Sequence, residues 1–530
     1  MIDGVSVIDL FAGPGGLGEG FSSFTRRDGA PGFRIRLSIE KDVQAHSTLE
    51  LRSFFRQFSE SRVPDEYYEF LRQPQTLVKS RREQLFARFP ELAEAARSEA
   101  WLAELGRVDA ALVRERISAA LPKSENWVLL GGPPCQAYSL IGRSRNRGNL
   151  QYRAEEDHRQ YLYVEYLQVL ADHRPAVFVM ENVKGLLSAT LQNQRIFERI
   201  LDDLASPSKA IRREGRRVNS KARNQWSPSY RLYSIVHHGL FDDFELRDFV
   251  VPMEHYGIPQ ARHRVIVLGV REDLAGAIPG VLKLAATVPL RAVVDGLPKL
   301  RSGLSRESDN AYQWIEHLQN ARRRRWFRAA AKKAGIETHE RLQAAIEELS
   351  LPENDRGAEF VAGDVTVAYR PDWYLDTRLG GAFNHSTRGH IVKDLWRYLY
   401  AACYAQAKGR SPNLKHFPAD LLPDHRNVPE AMNGSQFSDR FRVQLYDRPA
   451  TTVTSHIAKD GHYYIHPDPM QCRSLTVREA ARLQTFPDNY FFCGPRTSQY
   501  IQVGNAVPPL LASQIAEITR ELLSRAGVTA

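Results

Sequence analysis

Five short segments of this 530-residue chain hold side chains whose types and spacing could do chemistry. In Gly132-Pro-Pro-Cys135-Gln-Ala-Tyr-Ser139, an apolar run, Trp127–Leu130, stops abruptly at two glycines and two prolines. The run predicts a buried strand, and Gly and Pro end it. Cys135 is therefore predicted on a stiff loop at a strand's end, where the active sites of parallel α/β sheets collect. A thiolate there is a nucleophile, and the competing reading is a small buried residue. Glu181 ends a second apolar run, Val177-Phe-Val-Met-Glu-Asn-Val183. A partly desolvated carboxyl suits a proton donor; the plainer reading is a helix cap or an ion-pair partner. In Gln260-Ala-Arg262-His-Arg264, extended alternation would put Gln260, Arg262 and Arg264 on one face. Two guanidiniums there can clamp an anion or a base carbonyl, unless they are simply solvated edge arginines. In Asp9-Leu-Phe-Ala-Gly-Pro-Gly-Gly16, glycines let a ligand approach the backbone, or make a tight structural turn. Both GxGxxG spacing and a P-loop Lys-Ser/Thr are missing there, which disfavours phosphate binding. Glu40, closing the run Ile35–Ile39, could accept from a ribose diol or stand as a solvated carboxylate.

The elements that must position these groups follow from periodicity. Val5–Leu10 reads as a strand, the glycines as a turn, and Leu17–Phe24 as the start of a helix, the opening of a nucleotide-type βαβ unit. Residues 43–122 are helical in pattern, as is His158–Asp172; Ala176–Met180, Tyr230–His237 and Arg264–Val270 read as strands. Strands alternating with helices predict an α/β fold, Rossmann-like, with a mostly parallel sheet covered on both faces. That rhythm is lost between about Ala285 and Asp439. It returns after Leu475, with a helix over Val477–Gln484, a Phe486-Pro-Asp488 turn and a last helix over Pro508–Leu523.

Composition narrows the class. The 43% hydrophobic and 25% charged residues describe a globular chain rather than a disordered one. Lys+Arg exceed Asp+Glu, 72 to 62, and the net charge of +10 modestly favours a polyanionic partner. The basic runs Arg322–Arg325 with Arg328, Lys332 and Lys333, and Arg212–Arg223, read equally as phosphate-neutralising or as solvated helical faces. Cys135, Cys403, Cys472 and Cys493 form no CxxC pair, so neither a zinc ribbon nor a disulfide framework is expected, and a reducing cytoplasm fits. The pairs His385/His390 and His462/His466 have no Cys or acidic cluster beside them, and no metal is expected. No signal peptide or membrane span is expected either, which predicts a soluble protein.

The order of the segments is more specific than any one of them. Asp9–Gly16, Gly132–Ser139, Glu181-Asn-Val183, Gln260–Arg264, Arg478-Glu-Ala-Ala-Arg-Leu-Gln484 and Gly504-Asn-Ala-Val-Pro508 appear in sequence. Over about residues 5–270 and 440–517 the chain closely resembles the DNA (cytosine-5)-methyltransferase family. The resemblance implies S-adenosylmethionine as cofactor and a cytosine flipped out of double-stranded DNA as substrate. It implies that Cys135 adds to cytosine C6, that Glu181 holds and protonates N3, that Arg264 contacts O2, and that Arg262 braces the catalytic loop or a phosphate. Phe11, Gly13, Pro14, Gly16, Glu40, Pro134, Asn505 and Val507 match positions that line the cofactor pocket. Residues 1–285 would be the catalytic domain, 286–440 a smaller, irregular target-recognition domain, and 441–530 a return to the catalytic domain that places the last helix beside the first strand.

Some features depart from the family pattern. Tyr138 stands where Phe is common, Val43–Asn126 is longer than usual, and Arg212–Arg223 has no obvious counterpart. The acidic residue that meets the cofactor adenine is not placed; Glu104 and Asp109 are the candidates. An RNA (tRNA) substrate and a non-catalytic DNA-binding module are the alternatives. The large middle region and basic surplus favour DNA, and intact Cys135, Glu181, Arg262 and Arg264 favour catalysis. By analogy, the expected role is modification in a restriction or anti-phage defence system beside a cognate endonuclease, as a cytoplasmic monomer on nucleoid DNA. The target sequence is not legible; His385–His390 and Asp439–Gln444 are the segments expected to hold base-reading side chains.

Overall fold

A computed structural model describes residues 4–58, 62–73, 78–121, 126–134, 162–191, 194–218, 229–238, 245–423 and 439–528. Cys135, Tyr138 and residues 219–223 of the second basic run lie outside the described residues. The chain divides into two compact units. One comprises 1–62, 89–286 and 506–530, and the other 63–88 and 287–505.

The first unit is α/β, built on a mostly parallel sheet. Its strands are β1 (Val5–Leu10), β2 (Phe33–Glu40), β3 (Ala100–Leu102), β4 (Val128–Gly131), β5 (Val177–Val183), β6 (Tyr230–Tyr233), β7 (Val250–Pro252) and β8 (His263–Arg271). They lie in the order β3-β2-β1-β4-β5-β8-β6, with β7 also paired to β8. Strands β3, β2, β1, β4 and β5 are mutually parallel; β8 runs antiparallel to β5, β6 and β7. The continuous apolar runs of β4 and β5 are buried, as a central parallel strand requires when helices cover both faces. Connections leave β1 toward β2 on one side and return to β4 on the other, so β1 and β4 flank a topological switch point, where ligands bind in open α/β sheets. Register sets the carboxyl ends level, with Leu10 opposite Gly131 and Gly131 opposite Met180.

Helix Gly16–Ser22 continues from β1 and packs on the last helix, Pro509–Arg525. Glycine is required for this approach: a Cβ at Gly20 would overlap the Pro509 carbonyl and the Ala512 side chain. Behind that helix sits a buried ion network. Arg52 Nε donates to Glu19 Oε2 at 2.9 Å, and Arg56 reaches Glu19 at 3.5 Å and Glu99 at 2.6 Å. Burial alone would raise the Glu19 pKa, but Arg52 and Arg56 outweigh it and hold the carboxyl below its ordinary range.

The second unit contains a helical cluster, Ala311–Gln319, Arg325–Ala334, Ile336–Glu347 and Val392–Lys408, around buried Trp314, Trp326, Leu342 and Tyr398. Its other part is joined by an antiparallel pair, Gly357–Ala362 with Gly381–Ser386. Two segments expected in the catalytic domain belong to this unit instead. Residues 63–88 dock through Arg378, which donates to the Val63 carbonyl at 2.7 Å and to Asp65 at 2.6 Å, and through Tyr68 Oη, which donates to Asp376 at 2.8 Å. Residues 441–505 are held by Arg478, which donates to the Phe383 carbonyl at 3.0 Å, and by Arg482, which donates to the Val293 and Thr366 carbonyls at 2.8 and 2.9 Å.

Candidate active site

The carboxyl edge of the first unit's sheet brings together most of the groups singled out in the sequence. Strand β4 ends at Gly131, and Gly132-Pro133-Pro134 leads from it toward Cys135, which lies outside the described residues. Glu181 stands on the neighbouring β5. The antiparallel β8 starts at this same edge, with Arg264 opposite Val183 and Ile266 opposite Glu181. Antiparallel pairing thus delivers the first residues of β8 where the parallel strands deliver their last. Arg264 Nε meets Glu181 Oε1 at 3.0 Å, and each side chain keeps 13% of its surface exposed. A charge-assisted contact of this length fixes both groups while leaving them open to a ligand. Gly132 is part of the same geometry, since a Cβ there would stand 3.1 Å from Glu181 Oε2.

Asn182, the next residue of β5, is buried. Its amide donates to the Pro133 carbonyl at 3.1 Å, while its Oδ1 accepts from the Val183 amide at 2.8 Å. The Pro133-Pro134 stem is therefore tied to the strand that carries Glu181. The sequence displayed Asn182 inside Glu-Asn-Val, but no signal marked it as the anchor of the proline loop.

Around the glycine turn, Phe11 and Gly13 both adopt left-handed backbone, with φ of 56° and 59°. A non-glycine residue in that region is strained and needs surrounding support. Glu40 supplies part of it: Oε2 accepts from the Gly13 amide at 2.8 Å and Oε1 from the Asp42 amide at 2.7 Å. Burial raises the Glu40 pKa, and these amides pull it back. A Cβ at Gly13 would meet nothing within 4 Å, so the turn faces open space, whereas one at Gly16 would overlap the Val507 carbonyl. Phe11, Gly13, Pro14, Gly16, Glu40 and Val507 thus form one cradle at the ends of β1 and β2. Pro134 belongs to the adjacent β4 loop, and Asn505, exposed, ends helix Arg496–Asn505 of the second unit.

Asp9 lies beneath this cradle, 1% exposed, with neither carboxyl oxygen in full hydrogen-bonding contact. Burial pushes it up to about 7, against the pull of the Arg56 guanidinium and the Gly18 amide, while Glu40 adds to the push. Asp9 opens the glycine-turn segment, but its apolar neighbours in Val5–Leu10 mark burial rather than a role.

One expectation changes, and the structure shows what the other candidates contact. Arg262 and Arg264 do not share a face: the Arg262 amide donates to the Gln260 carbonyl at 2.9 Å, a turn that breaks the alternation before β8 begins. Arg262 is 1% exposed and its Nη2 donates to the Ala506 carbonyl at 2.9 Å, so it braces the start of the last helix. Asp109 caps helix Ala110–Ala120 through the Ala111 amide at 2.8 Å, and Glu104 pairs with Lys41 at 3.3 Å and Arg107 at 3.2 Å. In the segments expected to hold base readers, His385, His390 and Gln444 are buried, while Ser386, Arg388, Gly389, Asp439, Arg440 and Arg442 keep part of their surface exposed. His385 bonds Thr476 Oγ1 at 2.9 Å and the Pro298 carbonyl at 2.8 Å, and burial pushes it down to about 4.

Residues 103–207 and 243–520 match the family described as C-5 cytosine-specific DNA methylase. The chain belongs to that family. A type II methyltransferase of Bacillus paralicheniformis, M.Bpa9945I, is 31% identical over 98% of this chain and 99% of its own. M.AgeI, a type II methyltransferase of Thalassovita gelatinovora, is 25% identical over 79% of this chain and 87% of its own. The DNA (cytosine-5-)-methyltransferase M.ApeKI of Aeropyrum pernix is 27% identical over 75% and 81%. Among the described residues no helix of this methylase is long and apolar enough to cross a membrane.

Proposed function

We propose that this methylase transfers a methyl group from S-adenosylmethionine to C5 of a cytosine flipped out of a specific duplex sequence, through a transient bond between Cys135 and C6. The observation that carries the reading is the Glu181–Arg264 pair, 3.0 Å apart and partly open, beside the Gly132-Pro-Pro stem of Cys135. The cradle at Phe11–Gly16 and Glu40 fits the cofactor: it is open over Gly13, and its carboxylate and strained turn lie at a switch point. S-adenosylmethionine supplies a methyl group activated on a sulfonium.

The residues divide the remaining work. Cytosine C5 is a poor nucleophile until C6 carries a substituent, so the Cys135 thiolate adds at C6 as Glu181 gives a proton to N3. The ring then becomes an enamine, nucleophilic at C5, and methyl transfer to it would break the sulfonium C–S bond and leave the neutral thioether. Loss of the C5 proton and of the thiol restores aromaticity. Proton transfer by a placed side chain contributes roughly 10²–10⁴-fold. The Arg264 guanidinium holds the Glu181 carboxyl and, in this reading, donates to the base O2. Arg262 holds the start of the last helix, behind the cradle. Extruding the base costs a few kcal/mol, and base-pocket contacts offset that cost. We place the enzyme in the cytoplasm as a monomer on DNA, protecting host sites beside a cognate endonuclease; the type II names of its relatives support that role.

Bisulfite sequencing of plasmid DNA from cells expressing the wild type and Cys135→Ser tests the reading. Methylated cytosines confined to one short motif, and absent with Cys135→Ser, are expected. Equal methylation by both proteins would remove Cys135 from the mechanism, and none from either would overturn DNA as the substrate.

A further inference from the structure

The basic run Arg322–Arg325 and its continuation have no part in the chemistry above. Between Glu316 and Glu337 the sequence carries seven Arg and Lys residues and no Asp or Glu. The structure folds this stretch into a short turn, Asn320–Arg323, and helix Arg325–Ala334 of the second unit. Trp326, Phe327 and Ala330 are buried in the helical cluster, and Trp326 packs edge-on against Tyr400 with ring centroids 6.4 Å apart. All seven cations are consequently turned outward and exposed.

Two of the seven are used internally. Arg322 pairs with Glu347 at 3.0 Å, and Arg324 lies over the Trp396 ring at 4.8 Å. Arg323, Arg325, Arg328, Lys332 and Lys333 make no hydrogen bond or ion pair among the described residues. Lys332 and Lys333 lie in the last turn of the helix, where cations are stabilising, but the placement of Arg325 and Arg328 is unfavourable. Arg325 and Arg328 occupy the first turn of the helix, where the backbone already presents positive charge and a carboxylate would be stabilising. A solvated face normally intersperses both signs. A stretch of one sign, anchored by two buried aromatic rings and with Arg325 and Arg328 set against the helix dipole, gains when a polyanion covers it.

We infer that the surface carrying Arg323, Arg325, Arg328, Lys332 and Lys333 binds the phosphate backbone of duplex DNA without reading sequence, a binding surface separate from the cytosine site; the inference rests on DNA being the substrate. Flexible cations at several positions along the surface suit a repeating charge rather than a single anion. The surface holds the enzyme on non-target DNA, and its contribution depends on salt.

The test measures the Kd of the full chain for a duplex lacking the target sequence, across a salt series, using the wild type and a variant in which those five residues are Gln. Each phosphate contact contributes about 0.9 to the slope of log Kd against log salt. The five-residue variant should lose about 3–5 from that slope, and Lys332→Gln/Lys333→Gln alone about 2. Methylation at saturating target DNA in low salt should stay within about two-fold, which keeps this result separate from any failure of the proposed activity. An unchanged slope in both variants overturns the inference, and would do so equally if the surface instead captured an acidic protein. A loss of sequence discrimination with unchanged slope also overturns it, since that would make the surface a base reader.

Discussion

Two Arg–Glu pairs in this molecule share one chemistry and do opposite work. Arg473 and Glu479, in the second unit, meet through two contacts of 2.7 and 2.6 Å and are each 1% exposed. Their remaining valences are consumed nearby. Arg473 also donates to Gln471 and to the Leu300 and Ser474 carbonyls, and Glu479 accepts from the Thr476 amide at 2.7 Å, completing a capping box. Burial alone would raise the Glu479 pKa, but Arg473 outweighs it and holds the carboxylate far below its usual range. The Arg264–Glu181 pair meets at 3.0 Å and keeps 13% exposure on each side chain. A saturated pair locks structure; an open pair can trade its partner for a substrate. Two substitutions follow from this contrast and would break it if the roles were reversed.

Glu181→Gln removes a proton donor while preserving shape. Methyl transfer should fall by roughly 10²–10⁴-fold, with the melting temperature little changed. Single-turnover methylation and thermal unfolding measured on the same preparation check it. Equal losses in both would make this pair structural as well. Arg473→Met leaves Glu479 charged and buried, and unfolding should become easier by about 3–5 kcal/mol. Arg473→Met/Glu479→Gln should recover part of that loss, because the uncompensated charge is gone. Denaturant titration of the variants gives both numbers. A Glu479 carboxylate held below its ordinary value contributes stability that is present above about pH 4.5 and lost as pH falls, so the Arg473→Met deficit should shrink in acid.

The same contrast separates what the sequence reveals from what it hides. Strands β1, β4 and β5 were legible because continuous apolar runs bounded by Gly, Pro or polar residues have few other uses. Strand β3, three residues at Ala100–Leu102, was not, because so short a segment has no periodicity. Glu181 and Arg264 could be nominated from their places beside strands, but their pairing depends on β8 running antiparallel, which no local pattern encodes. The segment Arg478–Gln484 was recognisable by resemblance, and charged residues are ordinarily exposed. Instead Arg478 and Arg482 are fully buried among backbone carbonyls and Asp488. Residues 63–88 read as more helix of the first unit, because their bonds to Asp376 and Arg378 span about three hundred residues. Local composition reports how a segment folds, and only long-range partners decide where it docks.

Asp9 gives the smallest of these effects and refines the comparison, since it is a buried carboxyl with no arginine locked onto it. Its pKa in the fold is about 7 against an ordinary 3.8, so the fold prefers the neutral acid. The sign follows directly. Below pH 3.8 the group is protonated folded or unfolded, and its contribution to stability is fully present. As pH rises toward 7 the unfolded chain ionises first, and that contribution is lost. Above 7 both states are charged and the loss is complete, of the order of 2–4 kcal/mol. Asp9→Asn cannot ionise, so its stability relative to the wild type should climb between pH 4 and 7 and then level off. Unfolding midpoints of the two proteins at matched pH isolate this term from the acid-labile Glu479 and His385, which both proteins share. A flat difference across that range would mean that Arg56 neutralises Asp9 as fully as Arg473 neutralises Glu479, and that the two units manage buried carboxylates alike.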